Sequence, residues 1–164
     1  MSEHRLTEHL KEVNERFKGK FGTWGYIYQK GHAGVVAPFS LEERKILRGV
    51  TRGFHAKVGY CYYNAQTLAV RSDDLKYVEG LMTLHGVPID HAWLEYNGKV
   101  FDPTLYDMKS FKHKQARGDD EYYGMCIPTE MILKNQMQML SYSPLTQWPS
   151  KFAAQLLTGE PEKW

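Results

Sequence analysis

The dipeptide Asn97-Gly98 limits this chain more than any other short segment. Both residues tolerate the positive φ that a two-residue type I′ hairpin turn needs, and apolar residues flank them on each side. With these two as the loop, Tyr96 faces Lys99, Glu95 faces Val100 and Trp93 faces Asp102. Side chains alternate along a strand, so His91, Trp93 and Glu95 share a face with Val100 and Asp102. His91 and Asp102 become diagonal neighbours with Cα atoms roughly 7–8 Å apart, within reach of an imidazole and a carboxylate. A slip of one residue would put them on opposite faces.

Upstream lies a cysteine in a matching position. Cys61 follows Val58-Gly59-Tyr60 and precedes Ala65, Leu68 and Ala69 at helical spacing. A cysteine in the first turn of a helix meets the positive end of the macrodipole, which favours the thiolate, and free backbone N–H groups that can hold an oxyanion. Each residue alone has a plainer reading. Cys61 can be a small buried hydrophobe, His91 a core or edge histidine, and Asp102 before Pro103 the start of a turn. Taken together they supply nucleophile, base and orienting acid.

These segments resemble the transglutaminase-like superfamily of papain-like cysteine enzymes. The matching motifs are Gly59-Tyr60-Cys61 with Ala65, the strand Tyr77-Val78-Glu79-Gly80, His91-Ala92-Trp93-Leu94-Glu95, and Asp102-Pro103-Thr104. The resemblance spans residues 59 to 104. It implies an α+β fold with a papain-like core: a catalytic helix packed on an antiparallel sheet, with an N-terminal helical portion. It makes Cys61 the nucleophile, His91 the general base and acid, and Asp102 its partner. The chain departs from the family pattern in having Arg71-Ser72-Asp73-Asp74 where a Gly-Ile-Pro-type turn is usual. It also has only the Asn97-Gly98 turn between the His and Asp strands.

The expected chemistry is attack of a thiolate on an amide or peptide carbonyl through a thioester. Water as acceptor makes a peptidase, amidase or deamidase, which a small domain favours over transglutamination. A binding or inhibitor protein that keeps the fold without the chemistry is the alternative. A CoA-dependent acyltransferase would want a Gly-rich phosphate loop, and none is evident. Candidates for a second oxyanion donor or substrate contact are His55, Tyr60, Tyr62 and Asn64. Glu79 is either a polar anchor in the cleft or an exposed edge residue, and Trp93 is expected to shield the His–Asp pair from water.

At 164 residues the chain suits one domain, 1–164, with the motif-bearing core at about 50–128. A net charge of +2 argues for neither nucleic acid nor an anionic membrane as partner. No apolar run approaches the roughly 20 residues of a membrane span, and the polar opening MSEHRLTEHL is no signal peptide. Cys61 and Cys126 are expected as reduced thiols in a cytoplasmic protein, since a disulfide would consume the nucleophile. No cofactor is implied, and a protein or peptide substrate is the expected partner. Among seven histidines, His4/His9 and His32/His55 lack partner cysteines at metal-ligand intervals, so no metal site is expected.

Leu6, Leu10, Val13 and Phe17 predict a helix over about 4–18. The glycine- and aromatic-rich stretch 21–37 predicts short strands or a packed loop. Ser40 with Glu43 makes a capping box for a helix to about 48, stopped by Gly49. Residues 51–58 lead into the cysteine. Strands are predicted at 76–84, 90–96, 99–104 and 122–128, with the polar stretch 107–121 as a mobile surface loop. Thr129 is placed as cap of a helix through Met139, with Met131, Met137 and Met139 packing into the core. Ser150 is placed as cap of a last helix ending before Gly159.

Overall fold

Two tight turns organise the sheet. In the computed structural model, which describes residues 5–16, 23–114 and 120–146, His85 and Gly86 have φ of 53° and 79°, and Asn97 and Gly98 have φ of 50° and 72°. Both pairs therefore carry the two positive φ values of a type I′ turn. The second turn joins β3 (Val87–Tyr96) to β4 (Lys99–Phe101) in the predicted register, with Leu94 opposite Phe101 and Glu95 opposite Val100. The first joins β2 (Lys76–Leu84) to β3 and carries no Asn-Gly signal. β3 therefore starts three residues before the predicted strand, at Val87.

β7 (Tyr122–Ile127) pairs with the free side of β2, and β1 (His32–Ala33) with β7. The order is β1-β7-β2-β3-β4, all antiparallel. This sheet curls. The backbone N–H of Gly34 donates to Tyr122 O (2.8 Å), and that of Val100 donates to Val35 O (2.8 Å), so one short segment touches both edges. By register, His91, Trp93 and Glu95 share the inner face with Val78, Gly80, Tyr122, Gly124 and Cys126. Trp93 fills the curl. A Cβ on Gly124 would lie 2.5 Å from the Trp93 ring, and one on Gly80 would overlap the Tyr123–Gly124 backbone. Glycine is what these strand interiors need for a fully buried indole to lie across them.

Helices cover the outside. α1 (Arg5–Arg16) buries Leu6 and Leu10 as its stripe predicts, against α2, β2 and β7. α2 (Thr23–Lys30) corrects the expectation of strands or loop for that stretch: only His32–Ala33 is strand. The aromatic residues suggest β by propensity, but the segment docks as a helix on α1 and β7 with Ile27 fully buried. α3 (Leu41–Val50) has the predicted capping box: Glu43 N–H donates to Ser40 Oγ (3.2 Å) and Ser40 N–H to Glu43 Oε2 (2.7 Å). It runs through Gly49 to Val50, where Thr51 Oγ1 closes it on Leu47 O (2.8 Å). Glu43 also receives Lys99 Nζ (2.8 Å) and Asn97 Nδ2 (3.2 Å), tying the hairpin tip to this helix.

α4 (Cys61–Ala69) packs on β3 and β2. β4 ends at Phe101, before the predicted limit of 104, because Asp102 turns the chain. Part of the predicted loop 107–121 is instead a small hairpin, β5 (Tyr106–Asp107) with β6 (Lys112–His113). Phe111 pins it into the core, a contact that the polar composition hides. α5 spans Thr129–Met139 with Pro128, not Thr129, at the cap. Met131 packs against the core, whereas Met137 is 80% exposed, correcting its assignment to the interior. The helix predicted from Ser150 lies outside the described residues. No described helix is long and apolar enough to cross a membrane.

Candidate active site

Cys61 is the first residue of α4. Gly59 at φ 79° swings the chain into the helix, and Tyr60 N–H closes a turn on Lys57 O (3.2 Å). Asn64, one turn along and fully buried, locks that turn from below. Its Oδ1 accepts from Lys57 N–H (2.9 Å), while its Nδ2 donates to Lys57 O (2.8 Å) and Thr104 Oγ1 (3.0 Å). The N-cap, Tyr60, makes no side-chain capping bond. The first-turn N–H groups beside the thiol thus lack the capping side chain that usually covers such donors.

His91 is 4% exposed and its Nε2–H donates to Asp102 Oδ2 at 2.6 Å. That leaves Nδ1 for Cys61, whose side chain lies close enough to affect His91 by both hydrogen bonding and charge. Burial alone would drive the imidazole pKa down. Asp102, by charge and hydrogen bond, and then Cys61 outweigh burial and push it up to about 10. Asp102 is fully buried, which would raise its pKa, but His91 and two backbone donors hold the carboxyl below its usual range. The two shifts describe a buried ion pair.

Among the described residues, Asp102 accepts from His91, Tyr122 and two backbone N–H groups. Oδ1 accepts the backbone N–H groups of Thr104 (2.9 Å) and Leu105 (3.1 Å), and Oδ2 accepts His91 and the Tyr122 hydroxyl (3.0 Å). Asp102 thus starts the turn, as the Asp-Pro pair suggests, and also holds His91, as the hairpin register suggests. Tyr122 has no sequence signal, since it reaches the site from β7, 20 residues downstream. Burial and the Asp102 charge push its phenol well above the usual range, so it remains a donor.

Trp93 is fully buried beside this pair, its ring 6.4 Å from that of His91 and nearly parallel at 15°. It meets Tyr122 edge-on at 5.2 Å. The shielding expected of Trp93 is thus in place, although its Nε1–H is buried and meets no partner among the described residues.

Cys61 and His91 open onto one cavity of ≈ 390 Å³. Val58, Leu84, Ile89 and Leu105 give it apolar walls, and Asp90 and Lys114 bring charge. Beyond Gly59 a second cavity of ≈ 480 Å³ is lined by Lys57, Tyr60, Tyr62, Tyr63 and residues 141–143.

Five expected contacts are not where the sequence suggested. His55 is exposed and does not line the cavity that holds Cys61. Asn64 spends its amide on the turn before the cysteine, so it is no free oxyanion donor. Glu79 is neither cleft anchor nor exposed edge. It is 1% exposed on the outer face of β2, where it accepts from Tyr77 Oη (2.6 Å), Leu145 N–H (2.7 Å), Thr146 N–H (2.8 Å) and Thr146 Oγ1 (2.6 Å). Burial holds its carboxyl pKa above the usual range, against the opposing pull of these donors. Its work is to hold the 145–146 segment on the sheet. Tyr60 and Tyr62 border the second cavity and do not line the first. Cys61 and Cys126 are both free thiols.

No family model, curated protein or solved structure matches this chain.

Proposed function

We propose that the chain is a cysteine-dependent acyl-transfer enzyme with a papain-like core, acting on an amide or peptide bond through a thioester. One observation carries this reading: a buried His91 held by Asp102 at 2.6 Å faces, in a shared cavity, the cysteine that opens an uncapped helix. The packing of α4 on β3 and β2 suits such a core.

Cys61 Sγ attacks the carbonyl carbon, and the oxygen's developing charge faces the first-turn N–H groups of α4. Charged His91 then passes its Nδ1 proton to the departing amine as the C–N bond breaks, leaving a Cys61 thioester. Asp102 keeps Nε2 protonated, so the proton that moves is the one on Nδ1. Water adds to the thioester while His91 takes its proton, and the acid leaves as Cys61 regains its thiolate. Hydrolysis is favoured over transfer to an amine, which would need a second substrate site. The apolar walls suit a substrate with an apolar side chain next to the reacting carbonyl, a protein or peptide in class. A free nucleophilic thiol belongs in a reducing, cytoplasmic compartment.

The test is iodoacetamide labelling of Cys61 at pH 6, followed by peptide mass spectrometry. The thiolate is the reactive form, so His91→Ala is expected to slow labelling by roughly tenfold or more. Equal rates in the two proteins would refute the reading. So would an amidase activity, found by screening peptide amides, that survives Cys61→Ala.

A further inference from the structure

The inner face of the curl ends in a second polar cluster, opposite the catalytic one. Glu95 follows His91 by four residues on β3, about 13 Å along a strand, with Trp93 between them. His32 from β1 and Cys126 from β7 meet Glu95 there. His32 Nε2 lies 2.7 Å from Glu95 Oε1, and Cys126 Sγ lies 4.0 Å from Glu95 Oε2. The imidazole nitrogen, a carboxylate oxygen and the sulfur all lie within 4.8 Å of one another. β1 and β3 are separated by two strands, so only the curl allows this meeting.

We propose that His32, Glu95 and Cys126 bind one borderline-soft divalent cation of the Zn²⁺ class, with water in the fourth position. Nitrogen, sulfur and oxygen donors together select such an ion over Mg²⁺ or Ca²⁺, which want oxygen alone. Ligand bonds of 2.0–2.3 Å set neighbouring donors about 3.2–3.8 Å apart in a tetrahedron. The three atoms bracket that spacing, and the exposed His32 and Cys126 side chains can adjust while Glu95 is held in the sheet. Cys126 gives its thiol proton to solvent on binding, and the resulting thiolate and the Glu95 carboxylate balance the ion's two charges. Lys76, opposite Glu95 in the register, is exposed and free to turn to water. The ion would clasp the edge strand β1 to the centre of the sheet. The sequence hides this site because its members are 63 and 31 residues apart, far from any short ligand spacing.

Titration of the reduced full chain with Co²⁺, read by absorbance, tests the site without reference to activity. The expected result is one equivalent bound, with visible tetrahedral bands and a near-ultraviolet thiolate-to-cobalt band, all displaced by Zn²⁺. Cys61→Ala is expected to keep the thiolate band and Cys126→Ser to lose it. Because outer partners of metal ligands already contribute 10–100-fold, His32→Asn is expected to weaken binding at least about tenfold. Circular dichroism on each variant identifies any that fails to fold, and His32→Asn and Cys126→Ser stand as independent tests. No binding by the wild type, or a thiolate band lost with Cys61 and kept without Cys126, would overturn the proposal.

Discussion

An asparagine at position 102 would keep the turn and remove the charge. Its Oδ1 can still accept from Thr104 and Leu105, but the largest influence holding the His91 pKa up is gone, leaving Cys61 alone against burial. Asp102→Ala loses both functions, and breaking a buried ion pair this way costs about 3–5 kcal/mol, measurable by urea unfolding. The pair also sets a pH dependence. The raised His91 value means that its contribution to stability is full below pH 6.5 and is lost as pH rises towards about 10. The lowered Asp102 value means that its contribution is present above pH 3.8 and is lost as pH falls through the lower folded value. Unfolding free energy is therefore expected to decline between pH 6.5 and 10 in the wild type, and this slope to be much smaller in Asp102→Asn. His91 and Asp102 were legible as a pair because strand alternation and one turn fix which residues can meet, and Cys61 was legible as a helix start from the spacing of Ala65, Leu68 and Ala69. Tyr122 was not, because its contact depends on a strand pairing that no local pattern encodes. Asn64 and Glu79 misled for a related reason: polarity near a nucleophile does not tell which groups have already taken the hydrogen bonds.

Among the elements, β2 carries the sharpest division of labour. Its inner face has Gly80 beneath the aromatic cluster, and its outer face has Glu79 gripping residues 145 and 146. Glu79→Gln would set an amide N–H₂ against N–H and O–H donors, at a cost of about 1–3 kcal/mol. Labelling of Cys61 in the folded protein is expected to stay close to the wild-type rate, because Glu79 does not line the cavity that Cys61 opens onto. Gly124→Ala instead drives a methyl into Trp93, and such overpacking costs about 1–3 kcal/mol by the same unfolding measurement. Elements announced by local chemistry, the Asn97-Gly98 hairpin and the Ser40 capping box, were readable in advance. α2 and the β5–β6 hairpin were not, since Ile27 and Phe111 owe their places to partners distant in the chain.

Across the molecule, protection should follow the pairing. β2 is bonded on both sides along residues 77–82, whereas β1 is two residues at an edge. Amide hydrogen exchange is expected to be slowest in β2 and fast in β1, and comparable rates in the two would count against the described sheet. Chain order and spatial order also disagree here: β7, the last strand among the described residues, lies between β1 and β2. A chain emerging from the ribosome can close the β2–β3–β4 meander once Phe101 is free. β1 gains its strand partner, and Asp102 the Tyr122 hydroxyl, only when residues 122–127 follow. The hydroxyl that completes the surroundings of Asp102 thus arrives well after Cys61, His91 and Asp102 themselves have been made, so this polar cluster assembles late relative to its own members.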